Sequence, residues 1–252
     1  MKKYAGHGLN IFKYVLFGNT KNYKTKDYFL IPLYAILVAV FFRCIFFDHF
    51  HVPSGSMLNT LQIGDKIVIS KMSYGYSKYA FPFGFAPIKG RIFASEKPQA
   101  GDIIVFKLPT DKRTNYVKRL IGLPGDVISI SHGILTINGK NAVREKIAEN
   151  DDYVTYLETL PSGVRYEVIE YFDDNTSDNI PQFTIPEDNY FFMGDNRDNS
   201  LDSRFAEVGF VHDELILGKV KRVLISSSNS LLNIFAWHKI RFDRIWKNPY
   251  KQ

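Results

Sequence analysis

Residues 116–122 read YVKRLIG, an apolar β-strand pattern with Lys118 and Arg119 at its centre. The residues on either side of this pair are strand formers that would bury at least one face of the strand. Burial disfavours the ammonium form and lowers the pKa of a lysine, which suits a general base near neutral pH. The stretch therefore predicts a strand and makes Lys118 a candidate catalytic base. The alternative is that both side chains extend their charged heads into solvent.

Further β-branched runs closed by glycine or proline predict that the chain beyond residue 48 is built mainly from strands. These runs are 66–70, 102–106, 126–130, 134–137, 164–172, 190–193 and 218–226. Asn138-Gly139 is a strong signal for a type I′ hairpin turn. Long helical periodicity is confined to residues 28–47, so the expected fold is mainly β, with one N-terminal helix followed by an antiparallel β domain.

Two stretches differ from this β core. Residues 141–186 are polar, acidic and turn-rich, which predicts an inserted, mostly β subdomain exposed to solvent. Residues 73–87 are dense in aromatic side chains, with glycine and proline among them. Either this second stretch packs as a loop over the core, or its rings enter the interface of a bilayer.

Residues 28–47 read YFLIPLYAILVAVFFRCIFF and would span about 30 Å as a helix, the thickness of a bilayer core. Arg43 lies about one turn from the end, where its head can reach the interface. Six lysines precede the segment and the next one is Lys66, so the N-terminus is expected in the cytoplasm. The prediction is one transmembrane anchor, with residues from 49 onward outside and 9–17 along the cytoplasmic interface. A buried core helix is the alternative.

The charge distribution argues against nucleic-acid binding. The chain has 32 basic and 26 acidic residues, and six of the lysines lie within residues 1–26, which contain no acidic residue. The remaining 26 basic residues balance the 26 acidic ones, and no basic stripe with interleaved aromatics stands out. Cys44 is the single cysteine, which excludes an intrachain disulfide and a cysteine-based metal site. No histidine spacing typical of a metal site occurs, so we expect neither a metal nor a cofactor.

Ser56 lies in PSGSM at residues 53–57, a few residues past the predicted anchor. A serine hydroxyl is a poor nucleophile until a base takes its proton. Histidine is the usual base, but surface or packing roles are expected for all six. His7 lies before the anchor, His49 and His51 flank it, His132 is in a hairpin turn, and His212 and His238 have no acidic motif or strained elbow around them. Lys118 fits better, and a dyad of Ser56 and Lys118 is the leading hypothesis.

A third block, GDNRDNSLDSR at residues 194–204, alternates carboxylates with two arginines. Such an arrangement can close into internal ion pairs that hold a loop rigid beside a strand. The alternative is a solvated loop with Asx turns.

Taken together, these blocks resemble the type I signal peptidases, membrane-anchored Ser/Lys proteases that remove signal peptides from exported proteins. The resemblance extends over residues 28–220 and rests on four blocks: 53–57 with Thr60-Leu61, Gly101-Asp102 at the start of a strand, 116–126, and 194–204. Asn59 departs from the proline that the family often has before the threonine. Many relatives carry two anchors, whereas this chain has one predicted span.

The resemblance implies a role for each matching residue. Ser56 would be the nucleophile and Lys118 the general base. Ser200 would orient the lysine, and the hydroxyl of Ser54 would join the backbone N–H of Ser56 in the oxyanion hole. The supporting loop residues would be Asp195, Arg197, Asp202 and Arg204. Shallow pockets for the small residues of an Ala-X-Ala cleavage site would be lined by Val52, Met57, Leu61, Tyr116 and Val117.

The resemblance also implies a location and partners. The chain would be a single-pass protein of the bacterial inner (cell) membrane, with its catalytic domain outside the cytoplasm, and its partners would be preprotein signal peptides and the lipid bilayer. The predicted regions are a basic tail (1–27), the anchor (28–47), a catalytic β core (48–140 and 187–226), the inserted subdomain (141–186) and a C-terminal segment (227–252).

Two other functions compete with this one. Self-cleaving repressors use a similar dyad on a related β fold, but they carry a DNA-binding domain, and the predicted anchor and the balanced charge argue against them. The non-enzymatic alternative is a membrane-tethered β domain that binds partners through residues 73–87.

Overall fold

The computed structural model describes residues 27–81, 88–171, 176–227 and 239–251. The chain divides into two units, residues 1–45 and residues 46–252. The predicted basic tail up to residue 26 and the interfacial stretch 9–17 lie outside the described residues. The same holds for 82–87 of the aromatic stretch and for 228–238 of the C-terminal segment.

The predicted N-terminal segment forms a helix, α1 (Asp27–Phe46), which begins and ends one residue earlier than expected. Its 20 residues include Pro32, within the second turn. Among the helices of the described residues, none combines the length and apolarity required to cross a membrane.

The described part of the second unit contains fourteen strands, and every strand pair is antiparallel, which confirms the prediction of a mainly β, antiparallel domain. The strands are β1 (Phe47–His51), β2 (Asp65–Ser70), β3 (Ile103–Lys107), β4 (Asn115–Gly122), β5 (Val127–Ser131), β6 (Ile134–Ile137), β7 (Lys140–Asn141), β8 (Val143–Glu149), β9 (Tyr153–Thr159), β10 (Arg165–Tyr171), β11 (Ile180–Thr184), β12 (Asn189–Met193), β13 (Val211–His212) and β14 (Ile216–Ser226). The predicted runs do not include β1, β7, β8, β9, β11 and β13, of which β8, β9 and β11 lie in the insertion that was predicted to be mostly β.

Seven strands form one sheet in the order β1-β2-β14-β3-β4-β12-β13. Alternate residues of β3 pack on opposite sides of this sheet: Ile103 and Val105 join one hydrophobic cluster, and Ile104 and Phe106 join another. Burial on both faces explains why this strand reads as an unbroken apolar run. β4 lies beside β3 with Lys118 opposite Ile104, so the sheet core holds the candidate base in place.

The other strands form two smaller sheets, β11-β5-β6-β7 and β10-β9-β8. The turn between β6 and β7 has positive φ at both Asn138 and Gly139, as the predicted type I′ turn requires. β11 belongs to the predicted insertion but pairs with β5, which lies before it, so the strand pairing crosses the expected boundary at residue 140. Parts of the insertion are also fully buried, among them Tyr166 and Val168, although we expected exposure to solvent.

The C-terminal segment is joined to the sheet by a buried ion pair. The guanidinium of Arg244 donates to both carboxylate oxygens of Asp65, at 3.1 and 2.5 Å, and to the carbonyl of Thr60 at 3.1 Å. Arg244 is 2% exposed and Asp65 is fully buried. Because Thr60 follows Ser56 by four residues, this pair also positions the segment that carries the serine.

We predict that Arg244→Met destabilises the protein by about 3 kcal/mol, because it leaves the Asp65 carboxylate buried without its main partner. The free energy of unfolding in detergent, measured with urea, tests this. The control is Arg165→Met, which removes an exposed arginine paired at 3.5 Å and should change the free energy by less than about 0.5 kcal/mol. Equal stabilities of the two variants would contradict the role of the pair.

Candidate active site

Ser56 and Lys118 meet in the structure although they are 62 residues apart in sequence. Lys118 lies on β4 and Ser56 on the segment between β1 and β2, and the lysine Nζ donates to the serine Oγ at 2.5 Å. Both residues are buried, with 4% of Lys118 and 7% of Ser56 exposed. The alternative in which Lys118 and Arg119 extend their heads into solvent is wrong, because Arg119 is also buried.

Burial lowers the pKa of Lys118 to about 8, although the nearby carboxylates of Asp202 and Asp195 raise it. The guanidinium of Arg204 adds to the lowering. At pH 7 about one tenth of a lysine with this pKa is neutral. The lone pair of the neutral form can accept the proton of the Ser56 hydroxyl. The arrangement therefore suits proton transfer from a serine that attacks a carbonyl carbon.

The other two serines differ in what they contact. Ser54 is exposed and its hydroxyl lies 3.5 Å from the Ser56 Oγ, at the same pocket. Ser200 is buried, and in the described part of the chain its hydroxyl makes no hydrogen bond, so the expected bond to Lys118 is not seen. Its orienting role stays a prediction.

Gly194 allows the side chain of Ser200 and the backbone carbonyl of Ser56 to lie close to the loop backbone without a steric clash. A Cβ atom at Gly194 would overlap the Ser200 Oγ and would lie 2.5 Å from the carbonyl oxygen of Ser56. Only glycine therefore fits between the loop and the backbone of the nucleophile. The backbone N–H of Gly194 donates to Asp202 Oδ2 at 2.9 Å, and Arg204 forms an ion pair with the same carboxylate at 2.9 Å.

Asp195 links the loop to the strand of the base. Arg119 donates to both oxygens of Asp195, at 2.7 and 2.6 Å, and the Thr60 hydroxyl donates to the same carboxylate at 2.5 Å. The guanidinium of Arg119 also lies 4.1 Å from the ring centre of Tyr166. Asp195 thus joins β4, the segment after Ser56 and the loop at one buried point.

Arg197 is held by a residue of the inserted subdomain, Glu158. The two form a buried bidentate ion pair, with one contact at 3.0 Å, and Glu158 also accepts from Tyr166 at 2.7 Å and from Arg144 at 2.8 Å. Burial alone would raise the pKa of Glu158, but the Arg197 and Arg144 guanidiniums outweigh it and lower the pKa to about 2. Glu158 is therefore ionised at any working pH.

Asn196 had no predicted role, although the structure connects it directly to the nucleophile. Its backbone N–H donates to the carbonyl of Ser56 at 3.1 Å, and its side-chain Nδ2 donates to the carbonyl of Gly55 at 3.1 Å. The two peptide planes on either side of the Ser56 Cα, one of which contains the Ser56 N–H, are thereby fixed. Asn196 is fully buried, and in the sequence it is one polar residue among many of a turn-rich loop.

A pocket of about 340 Å³ opens over the pair. Its walls include Phe50, Ile67, Val105, Tyr116 and Val117, and Ser54, Ser56 and Lys118 also line it. Of the predicted substrate-binding residues, Tyr116 and Val117 line this pocket. The other three, Val52, Met57 and Leu61, are fully buried in the hydrophobic cluster beneath it, and their contact with substrate stays a prediction. No group of three or more metal-ligating side chains occurs among the described residues.

Comparison with known proteins shows the family to which the chain belongs. The model of the family described as "Signal peptidase, peptidase S26" matches residues 25–225. A signal peptidase I of Rickettsia typhi is 38% identical over 258 residues, covering 92% of this chain and 97% of the relative. One of Rickettsia canadensis is 38% identical over 242 residues, covering 86% and 91%. A solved structure of a signal peptidase I from Enterococcus faecalis covers 49% of this chain and 97% of its own, with 30% identity and a TM-score of 0.31.

A mainly β chain with these relatives is a serine peptidase, an enzyme and not merely a binding module. It belongs to the signal peptidase family, peptidase S26, so the resemblance to type I signal peptidases is confirmed. Its family therefore acts on preproteins that carry signal peptides.

Lys118→Met is predicted to stabilise the fold at pH 7 by on the order of 1–3 kcal/mol, because it removes an ammonium whose pKa burial lowers. The pKa falls from the ordinary 10.5 to about 8 in the folded protein. Below pH 8 the lysine is protonated in both the folded and the unfolded protein, so the folded state bears the full free-energy cost of the buried ammonium. Between pH 8 and 10.5 the lysine is neutral in the folded protein but still protonated in the unfolded one, and the cost decreases to zero over this range.

Urea unfolding of the full chain in detergent from pH 6 to pH 10 measures this difference. The wild type should gain stability as the pH rises through 8, and the gap to Lys118→Met should close. Lys97→Met, which replaces an exposed lysine, provides the control. A Lys118→Met variant no more stable than wild type at pH 7 would refute the burial cost.

Asn196→Asp should lower kcat about tenfold or more while KM changes less than about twofold, because carboxylate oxygens cannot donate to the Gly55 carbonyl and the nucleophile tilts. Steady-state cleavage of a peptide substrate separates the two constants. Asn150→Asp, in an exposed turn, makes the same chemical change away from the site and should alter neither. A loss confined to KM would contradict a role in positioning Ser56.

Proposed function

We propose that this chain is a membrane-anchored type I signal peptidase that cleaves preproteins after Ala-X-Ala with Ser56 as nucleophile and Lys118 as general base. The observation that carries the proposal is the buried hydrogen bond between the two side chains. A lysine whose pKa is lowered to about 8 by burial can act as the general base for the serine, and a serine without a base is a poor nucleophile.

The reaction follows from the positions of these groups. Neutral Lys118 takes the hydroxyl proton of Ser56 as its Oγ attacks the scissile carbonyl carbon. The oxyanion faces the Ser56 backbone N–H and the Ser54 hydroxyl, where each preorganised donor is worth about 10²–10³ in rate. The Lys118 ammonium then protonates the leaving amine as the C–N bond breaks. Water attacks the acyl ester, its proton passes to Lys118, and Lys118 returns a proton to Ser56 as the acid leaves.

Two strand edges favour binding of an extended peptide beside the pair. β1 is the end strand of the large sheet and pairs only with β2 in the described residues. β4 pairs with β3 from Asn115, but with β12 only from Arg119 onward. The pocket lies against both, lined by residues of β1 and the first half of β4. A substrate could add as a strand there, and apolar walls of this size suit small side chains.

The membrane anchor and its direction are supported by sequence. The apolar run 28–47 follows six lysines, and the next lysine after the run is Lys66, which favours a cytoplasmic N-terminus. We propose a bacterial cell membrane location with the catalytic unit outside the cytoplasm. The scissile bond of a membrane-held signal peptide would then be presented close to Ser56, a few residues past the anchor.

Cleavage of a preprotein in detergent tests the dyad. Wild type should release a product whose mass identifies the bond after alanine, and Ser56→Ala and Lys118→Ala should each lose at least about 10³-fold in kcat. Lys118→Arg should also be inactive, since a guanidinium stays protonated. The wild-type kcat/KM should rise about tenfold per pH unit below pH 8.

Ser131→Ala and Lys97→Ala are the matched controls, because both residues are exposed and lie outside the pocket. Equal processing by wild type, Ser56→Ala and Lys118→Ala would contradict the catalytic role of the dyad. A wild type that binds the preprotein but never cleaves it would favour the tethered binding domain. Activity retained by Lys118→Arg would remove Lys118 from the role of base.

A further inference from the structure

A second cleft, of about 670 Å³, lies next to the catalytic pocket and is lined by an excess of positive charge. Its charged residues are four cations and one carboxylate: Lys71, Lys107, Lys112, Arg113 and Asp48. The cations come from the residue after β2, from β3 and from the turn that joins β3 to β4. No residue of the dyad or of the loop 194–204 lines this cleft.

The carboxylate of the cleft is already engaged. Asp48 lies 3.1 Å from Lys71, whose Nζ also donates to the carbonyl of Ala80 at 3.1 Å. Asp111 stands in the turn near the other cations, but it accepts the backbone N–H groups of Arg113 and Thr114 and the Thr114 hydroxyl. It therefore serves to hold the turn.

The three remaining cations form no ion pair with a carboxylate of the described residues; they are Lys107, Lys112 and Arg113. Lys112 and Arg113 are exposed, whereas Lys107 is half-buried and its Nζ donates to the carbonyl of Arg113 at 2.8 Å. Burial lowers the pKa of Lys107, and Asp111 raises it only in part. The cleft thus holds cations that an anion would stabilise.

The cleft and the catalytic pocket adjoin each other, and Phe50 and Asn115 line both. Asn115 precedes Lys118 on β4 by three residues, which corresponds to about 10 Å of extended chain. A polypeptide that lies in the catalytic pocket along β4 therefore reaches the cations within a few residues.

We propose that this cleft is a substrate subsite that binds an acidic side chain located about three to six residues from the scissile bond. The proposal rests on the peptidase function proposed above. The shared walls favour a substrate carboxylate as the occupant, because a peptide bound in the catalytic pocket is the ligand that the pocket itself brings to the cleft.

The test uses wild-type full-length enzyme in detergent and peptides with one Ala-X-Ala site. Aspartate is placed at each of six positions on either side of the bond, and each peptide is matched by one with asparagine at the same position. We expect one position, or two neighbouring ones, at which the aspartate peptide has a kcat/KM about three- to tenfold higher than its asparagine partner. The ratio should fall toward one at about 1 M salt, because screening weakens exposed charge pairs.

The double variant Lys112→Gln and Arg113→Gln should bring that ratio to within twofold of one. Its matched control, Lys97→Gln with Lys140→Gln, removes the same charge from exposed residues outside the cleft and should leave both the ratio and the activity unchanged. Because each ratio is taken within one protein sample, partial unfolding of a variant cannot mimic the result.

Three outcomes separate the hypotheses. If no position gives a ratio above two in wild type, the subsite proposal is wrong while the peptidase stands. If the ratios are all near one, but the double variant loses activity only in vesicles that contain phosphatidylglycerol, the cleft binds a lipid phosphate and the proposal is likewise overturned. If wild type cleaves none of the peptides and matches Ser56→Ala, it is the proposed function that fails.

Discussion

The buried fork between Arg119 and Asp195 is the contact on which the site depends. It fixes the loop 194–204 to β4, and the Thr60 hydroxyl attaches the segment after Ser56 to the same carboxylate. Nucleophile segment, base strand and loop are therefore joined through one side chain. A buried ion pair of this kind contributes less to stability than its geometry suggests, because desolvation opposes the attraction. Its effect lies in orientation, since losing either partner would leave a buried charge unpaired and free three elements at once.

Near the ion pair of Arg119 and Asp195, the burial of Lys118 increases reactivity at the expense of stability. Lys118 is a useful base because burial lowers its pKa, and the same burial costs folding free energy while the ammonium is protonated. The carboxylates of Asp202 and Asp195 reduce this cost. Each of them also forms an ion pair with an arginine, which offsets most of its negative charge. The loop can therefore moderate the pKa of Lys118 without restoring it to its ordinary value.

Much of the β architecture was predictable because the relevant signals are local. Apolar runs closed by glycine or proline predicted β3, β5, β6 and β14, and Asn138-Gly139 predicted the turn after β6. β1 was missed because FDHFH does not alternate cleanly and directly follows an apolar helix.

At the site, the sequence motifs predicted most of the site residues that lie within them. Apart from the pair of Ser56 and Lys118, contacts between residues that are far apart in the sequence were not predicted. The structure joins Ser56 to Lys118 as the sequence suggested, but Glu158 had no signal, because its partner Arg197 is 39 residues away and acidic residues are usually exposed. Asn196 acts through bonds to backbone carbonyls, which leave no trace in residue type. The solvated-loop interpretation of 194–204 is wrong for the same reason: the loop is buried by partners far away in sequence.

The pairing of β4 with β3 has a consequence for what a folding error would produce. Neighbouring residues of a strand point to opposite faces, and the present alignment sets Lys118 opposite Ile104 and Arg119 opposite Ile103. A slip by one position would place at Ser56 either Arg119, whose guanidinium cannot give up its proton, or, in the other direction, Val117, which has no basic group. Such a chain would be inert. Catalysis therefore depends on the register of β4 against β3, since a shift of one residue in either direction leaves Ser56 without a base.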